Sequence, residues 1–267
     1  MSDTTIVDSH AHLTASEFDA DRADVIARAC EAGVTTIVTV GTGLESGREA
    51  IALAEQHPGV LAVTGFHPHV AGSVTRADIA ALGEMTRHPK VLAIGEIGLD
   101  FHRDYAPRDR QHDVLRWQLD LITETGLPVV IHCREAHEEM LDILHDWTAR
   151  VGASHPVGVI HCFVGDTDLA RRYIEMGFYL SLAAYIGYPS SRYARDTIRS
   201  IPLDRLLVET DCPYFPPQRI RGKRCEPAYV RETVAELASI RGEPFGTVAQ
   251  ATTENARRVF RFQQGDE

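Results

Sequence analysis

Residues 107–150 read PRDRQHDVLRWQLDLITETGLPVVIHCREAHEEMLDILHDWTAR, and the fold turns on this stretch. Leu115, Leu119 and Ile122 recur at helical spacing, and Pro107 suits a first helical turn, where no intrahelical N–H is required. Gly126 fits the stop after such a helix. A short apolar run, Pro128–Ile131, follows. Then comes a second amphipathic stretch, Glu135–Arg150, whose Met140, Ile143, Leu144 and Trp147 form one apolar stripe. A fully apolar strand flanked by amphipathic helices is the signature of a parallel sheet covered by helices.

The alternation extends in both directions. Further runs at Thr5–Val7, Thr35–Val40, Val60–Gly65, Val91–Gly95, Val157–Ile160, Phe178–Leu182 and Arg205–Val208 bring the total to eight, most of them followed by a helical pattern. Thr75-Arg-Ala-Asp78 has the form of a helix-capping box, and Pro213–Pro217 is the clearest irregular loop. No stretch reads as a linker and no period of about 20–50 residues repeats, so one domain over residues 1–267 is expected and a solenoid is not. Eight βα units in a chain of this length predict an α/β fold, a closed (β/α)8 TIM barrel. An open doubly wound sheet is the competitor; its dinucleotide-binding form is weakened because no G-x-G-x-x-G follows the first strand.

Composition narrows the function classes. Apolar residues make up 44% and charged residues 24%, too rich a core for a disordered chain. The net charge of −11 argues against a broad basic coat for nucleic acid, though not against cations confined to an active site. The longest uncharged stretch, Gln56 to Thr75, contains His57, His67, His69, Pro58 and Pro68, which excludes it as a membrane span. The N-terminal MSDTTIVDSH has neither a basic start nor an apolar core for secretion, and the five cysteines show no disulfide spacing, so a reducing, cytoplasmic location is expected.

Catalytic groups of barrels lie at the C-terminal ends of the strands. Here six of the eight ends carry imidazole or carboxylate: Asp8-Ser-His10-Ala-His12, Gly65-Phe-His67-Pro-His69, Gly95-Glu96-Ile-Gly98-Leu-Asp100, His132-Cys-Arg134, His161-Cys-Phe163 and Glu209-Thr-Asp211. His10 and His12, two apart on a strand, project the same way and can share one ion. Taken singly, each is as well explained as a hydrogen-bonded turn histidine. Together with His132, His161 and the carboxylates of Glu96 and Asp211 they make two metal coordination sets. Without a cation, two carboxylates in a barrel mouth would be costly buried charges. Imidazole ligands favour Zn, Mn, Co or Fe over Mg. His67 is open between ligand, substrate contact and structural group, with substrate contact favoured. His57, His88, His145 and His155 read as surface groups, and His102, His112 and His137 are undecided. Cys133, Cys162 and Cys212 each follow a candidate ligand and should turn toward the helices as small buried groups, whereas Cys30 lies in a helical pattern without a functional signal. Arg134 and the basic run Arg219-Ile-Arg-Gly-Lys-Arg224 suit a phosphate or carboxylate.

The ordered set of motifs resembles the TatD family of metal-dependent hydrolases, within the amidohydrolase-like barrels. It comprises Asp8–Leu13, Gly65–His69, Gly95–Asp100, Ile131–Arg134, His161–Phe163, Leu207–Asp211 with Pro213 and Pro217, Arg221–Arg224 with Glu226-Pro227, and Thr252-Thr-Glu-Asn-Ala256, and it covers essentially the whole chain. The resemblance implies a binuclear site in which His10, His12 and Asp211 hold one divalent ion and His132 and His161 the other, with Glu96 bridging. It also implies deoxyribonuclease activity on DNA or another phosphate-containing substrate, with Mg serving turnover. Asp211 would activate the water, Arg134 and the basic loop would hold the phosphate, His67 would contact it, and Glu209 would support a ligand histidine. Thr14, Val164 and Cys225 depart from the family pattern without touching a candidate ligand. The alternative is an amide, ester or lactone hydrolase, including an aminoacyl-tRNA deacylase type, on the same metal site; a binding protein without catalysis is disfavoured by the intact ligand set. No membrane partner is expected, and nothing in the sequence points to an oligomeric state.

Overall fold

Each of the eight apolar runs forms a strand, and four of them, the first, second, fourth and fifth, continue beyond the run itself. In the computed structural model, which describes residues 5–103, 105–152 and 157–263, β1 spans Ile6–Ala11, β2 Val34–Gly41, β3 Val60–Thr64, β4 Val91–Asp100, β5 Val129–Arg134, β6 Gly158–Ile160, β7 Tyr179–Leu182 and β8 Leu206–Val208. They pair in parallel, each with its sequence neighbour, in the order β1 to β8. All strand C-termini therefore face one end. The ring closes just beyond β8, where the Asp211 N–H donates to the His10 carbonyl at 2.9 Å and the His12 N–H to the Cys212 carbonyl at 2.8 Å. The Ser9 hydroxyl adds a bond to the Val208 carbonyl. The fold is the expected TIM barrel, not the open sheet.

Helices α1 (Arg22–Glu31), α2 (Leu44–Gln56), α3 (Arg76–Met85), α4 (Arg108–Thr125), α5 (His137–Val151), α6 (Thr167–Glu175), α7 (Arg195–Ser200), α8 (Val230–Arg241) and α9 (Phe245–Phe260) accompany the strands. The local signals mostly act as read. Thr75 and Asp78 form a reciprocal capping box at α3, and Gly126 ends α4 in the left-handed conformation at φ 71°. Two boundaries differ. Pro107 is the cap preceding α4 and not part of its first turn. The helix expected from Glu135 begins at His137, because Glu135 itself has φ 55°, outside helical space.

Burial divides into two regions. Outward-facing Ile37, Ile94, Ile131, Leu180 and Leu206 join the helices in the main core. Val7, Val38, Leu61, Ala93, Val130, Val159 and Leu207 form a second cluster, completed by Ala256, Val259, Phe260 and Phe262 from α9 and the residues after it. These α9 groups seal the barrel interior at the end away from the ligand residues. The Thr252–Ala256 motif explains how: Asn255 Nδ2 donates to the carbonyls of Leu203 and Leu206, and the Thr253 hydroxyl to that of Thr5. Among the described residues, no helix is long and apolar enough to cross a membrane. His155 lies outside the described residues.

Candidate active site

The centre of the site is made by a local irregularity. Gly95 pairs with Val130 and Ile97 with Ile131, so Glu96 is an extra residue in β4, and such bulges re-aim a side chain. The strands must approach closely here. At Gly98, with φ 150°, an added Cβ would lie 1.8 Å from the His132 carbonyl oxygen.

Glu96 is 3% exposed, and its two oxygens face different groups. Oε2 is 3.5 Å from His10 Nε2 and 3.6 Å from His12 Nε2. Asp211 Oδ1 lies 3.2 Å from His12 Nε2 and 3.7 Å from His10 Nε2, and the two ring nitrogens are 3.3 Å apart. On the other side, Oε1 is 2.7 Å from His132 Nδ1, 3.2 Å from His161 Nε2 and 3.4 Å from His67 Nε2. The six candidate ligands read from sequence are thus brought into one pocket at the barrel rim.

The residues fit divalent cations in three respects. First, donor atoms around a tetrahedral ion with bonds of about 2.0–2.1 Å stand roughly 3.3–3.4 Å apart. The five separations among His10, His12, Glu96 and Asp211 scatter about that spacing. Second, outer partners engage the other ring nitrogen of three histidines. His12 Nδ1 lies 3.3 Å from the Val40 carbonyl, His161 Nδ1 3.0 Å from Glu209 Oε1, and His132 Nε2 3.0 Å from Asp100 Oδ2. Each partner is a hydrogen-bond acceptor that holds the ring proton on the outer nitrogen, which leaves the inward nitrogen a free lone pair. Third, Asp211 Oδ1 is buried beside the His12 and His10 rings at 3.2 and 3.7 Å without a well-directed hydrogen bond, a cost that a cation in the pocket would offset.

Electrostatics point the same way. Burial pushes the Glu96 carboxyl up, but the surrounding imidazoles, led by His67 and His161, hold it well below the usual range. Burial pulls His161 down, yet Glu209 and Glu96 hold it well above. His12 and His132 are raised by their carboxylate partners against burial, and Asp211 is lowered by His12 and His161 against burial. His10 is lowered by burial and by the neighbouring His161. Protons on these rings stand where a metal would place its charge. His67 is different: burial lowers it to about 4, so it is a neutral ring at pH 7. Its Nδ1 accepts from the His69 N–H, which leaves the proton on Nε2, facing Glu96.

Two residues were not assigned a role from the sequence, although both stand in the quoted strand-end motifs. Asp100 Oδ2 is 2.9 Å from His69 Nε2 as well as 3.0 Å from His132, while Oδ1 accepts from the N–H groups of His102 and Arg103. Asp8 is a further buried carboxyl, pushed up to about 8 by burial; it accepts from Thr210 through both the backbone N–H and the hydroxyl and ties the β1 end to the β8 end. The same strand-end rule that found Glu96 pointed to both.

The basic loop is corrected by the structure. Arg219 pairs with Glu232, and Arg224 with Asp21 and Glu226, so these guanidiniums brace the fold and are not offered to a substrate. Arg221 lies 4.2 Å over the Tyr188 ring. Arg134, in contrast, is exposed at the end of β5, and its side chain has no ion pair among the described residues. Cys133 and Cys162 are half-buried against the main core and Cys212 fully buried. Burial pushes Cys133 up to about 12 and the other two well above the thiol range, and among the described residues none of the three joins a cluster that could hold an ion. Of the undecided histidines, His102 pairs with Glu135, His112 with Glu139, and His137 Nδ1 lies 3.0 Å from the Tyr173 hydroxyl. His145 is exposed, as read.

Residues 7–261 match the family described as TatD related DNase. The chain is 40% identical over 257 residues to YabD of Bacillus subtilis, an uncharacterized metal-dependent hydrolase, covering 96% of this chain and 99% of that protein. It is 36% identical over 266 residues to the 3'-5' ssDNA/RNA exonuclease TatD of Musicola paradisiaca, covering 97% and 99%. The crystal structure of YjjV, a TatD homologue of Escherichia coli, superposes with a TM-score of 0.90 at 31% identity over 97% of this chain and 98% of that one.

Proposed function

This chain belongs to the TatD family of metal-dependent hydrolases, and from that premise we propose that it removes nucleotides from the 3' ends of single-stranded DNA or RNA. The observation that carries the reading is the split of Glu96, one oxygen toward His10 and His12 and the other toward His132 and His161. A carboxylate so placed suits two cations, with His10, His12 and Asp211 on one and His132 and His161 on the other. The imidazole-rich set favours Zn, Mn, Co or Fe for tight binding, while Mg remains adequate for turnover. Free thiols throughout fit a cytoplasmic enzyme.

Bound divalent cations supply a water of lowered pKa and a Lewis-acidic partner for a phosphoryl oxygen. The protein's own groups do the rest. Asp211, held ionised by its imidazole neighbours, accepts the proton of the attacking water and returns it to the leaving oxygen. His67 turns to a non-bridging phosphate oxygen the Nε2–H that otherwise faces Glu96. Arg134, free and exposed at the rim, pairs with the phosphate and offsets the charge that develops on it. Asp100 and Glu209 keep His132 and His161 in the tautomers that face inward.

The test is turnover by metal-loaded protein on 3'-labelled single-stranded DNA and RNA, in parallel with a panel of esters, lactones and aminoacyl-tRNA. Mononucleotide release from the labelled end is the expected outcome. Background cleavage of both nucleic acids in every divalent metal, with turnover of a carbonyl substrate, would overturn the reading.

A further inference from the structure

Five large apolar side chains are exposed among the described residues: Val70, Tyr105, Val164, Tyr214 and Phe215. All five lie in segments that follow β3, β4, β6 or β8, at the end of the barrel that carries the ligand residues. Exposed apolar groups scattered by chance would fall at both ends.

The aromatic members are joined to the site by ring contacts. Tyr105, 64% exposed, stands nearly perpendicular to His69 with centroids 4.8 Å apart. Tyr214, 55% exposed, stands in the same way against His12 at 6.0 Å. β4 and β8 are four strands apart in a ring of eight, so the two tyrosines flank the metal pocket from opposite sides. Phe215 follows Tyr214 and has φ 47°, a left-handed conformation that a bulky side chain adopts only when the surroundings impose it. Arg103 donates from Nη1 to the Tyr105 hydroxyl at 3.3 Å, which puts a cation next to an exposed ring.

We propose that Tyr105 on one side, and Tyr214 with Phe215 on the other, are stacking platforms for the unpaired bases on either side of the scissile phosphate. The inference rests on the exonuclease reading above and adds to it the means by which the enzyme tells single strands from duplex. A base in a duplex has both faces covered, whereas an unpaired base has a free face, and stacking on an aromatic ring is tolerant of sequence. Exposed rings with an adjacent guanidinium suit a strand that alternates flat bases with phosphates, and the protein's net negative charge leaves few other attractions for a polyanion.

The probe is a ten-nucleotide deoxythymidine strand, compared with the same strand carrying abasic residues at its last two 3' positions. For metal-loaded wild-type protein, kcat/KM on the base-bearing end should exceed that on the abasic end by about a hundredfold, the scale of two stacked bases at about tenfold each. Tyr214→Ala should lower the base-bearing value by about tenfold, chiefly through KM, and cut the ratio between the two substrates to about tenfold, the share left to Tyr105; Tyr214→Phe should restore the wild-type ratio. A second readout needs no turnover. A 3'-terminal 2-aminopurine in a phosphorothioate strand should be quenched on binding wild type and Tyr214→Phe, and not on binding Tyr214→Ala. Equal cleavage of the two strands by the wild type, or a ratio unmoved by Tyr214→Ala, would overturn the platforms while leaving the exonuclease standing. Cleavage of neither strand would remove both.

Discussion

Replacing a carboxylate by its amide keeps the shape of a side chain and removes its charge. At Glu96 the change leaves five imidazoles and Asp211 around a neutral group, so Glu96→Gln should lower kcat by about 10³-fold or more, on the scale of losing a metal-organising group. Metal content per chain should fall in the same preparation, with far-ultraviolet circular dichroism unchanged. Two arginines make a contrasting pair. Arg134→Ala should raise KM for single-stranded DNA and leave thermal stability within about 0.5 kcal/mol, since the side chain is exposed. Arg224→Ala should instead lower the melting temperature. Arg224, with Arg28, holds Asp21 at about 2, below its ordinary 3.8. A carboxyl depressed in this way contributes fully above about pH 4 and loses its contribution as pH falls toward 2. The difference in melting temperature between wild type and Arg224→Ala should therefore shrink across that interval. At this scale sequence reasoning reached the residues that the fold brings together, because a histidine or acid ending a barrel strand is conspicuous. It could not tell a free arginine from a braced one. Arg134 and Arg224 look alike until Asp21, some two hundred residues distant from Arg224, is placed beside it.

At the level of elements, the approach of β4 to β5 sets the pocket. A methyl group at Gly98 would meet the His132 carbonyl at less than van der Waals distance, in a backbone conformation that L residues avoid. Gly98→Ala should cost about 2–4 kcal/mol in chemical denaturation and weaken metal binding at the His132 side first. The α9 clasp is a gentler case. Asn255→Ala leaves the carbonyls of Leu203 and Leu206 without their donor and should cost about 1–3 kcal/mol, with kcat per folded molecule unaltered because the change is at the opposite end of the barrel. Element types were readable from periodicity and capping chemistry, as α3, α4 and α5 show. Their edges were not, because an edge depends on tertiary contacts. β4 runs on to Asp100 only because β5 pairs with it as far as Arg134, and α5 starts late because Glu135 is held outside helical space to reach His102.

For the molecule as a whole, charge is the informative quantity. A protein of net charge −11 whose basic loop is largely occupied by its own acids has few cations to give to a strand. The dependence of log kcat/KM on log salt concentration should therefore be shallow, with a slope of about −1 to −2, and Arg134→Ala should reduce it by about 0.7, the increment for one single-strand phosphate. A slope near −5 would mean a long basic track that the structure does not contain among its described residues. The barrel was legible because eight units of similar length admit few arrangements; the bulge at Glu96 was not, because it answers to a register shift between two strands and has no local signature.

The seam of the barrel has one more consequence. The hydrogen bonds that shut the ring run between His10 and Asp211 and between His12 and Cys212, so the hoop is fastened by the very residues that ring the pocket. An ion gripped jointly by His10, His12 and Asp211 would rivet the first stave to the last across some two hundred residues of intervening chain. Chelators should then do more than silence the enzyme. They should loosen the joint itself, and amide exchange at positions 9–12 and 209–212 should quicken ahead of the remaining staves, as a cask fails first where its band is pinned.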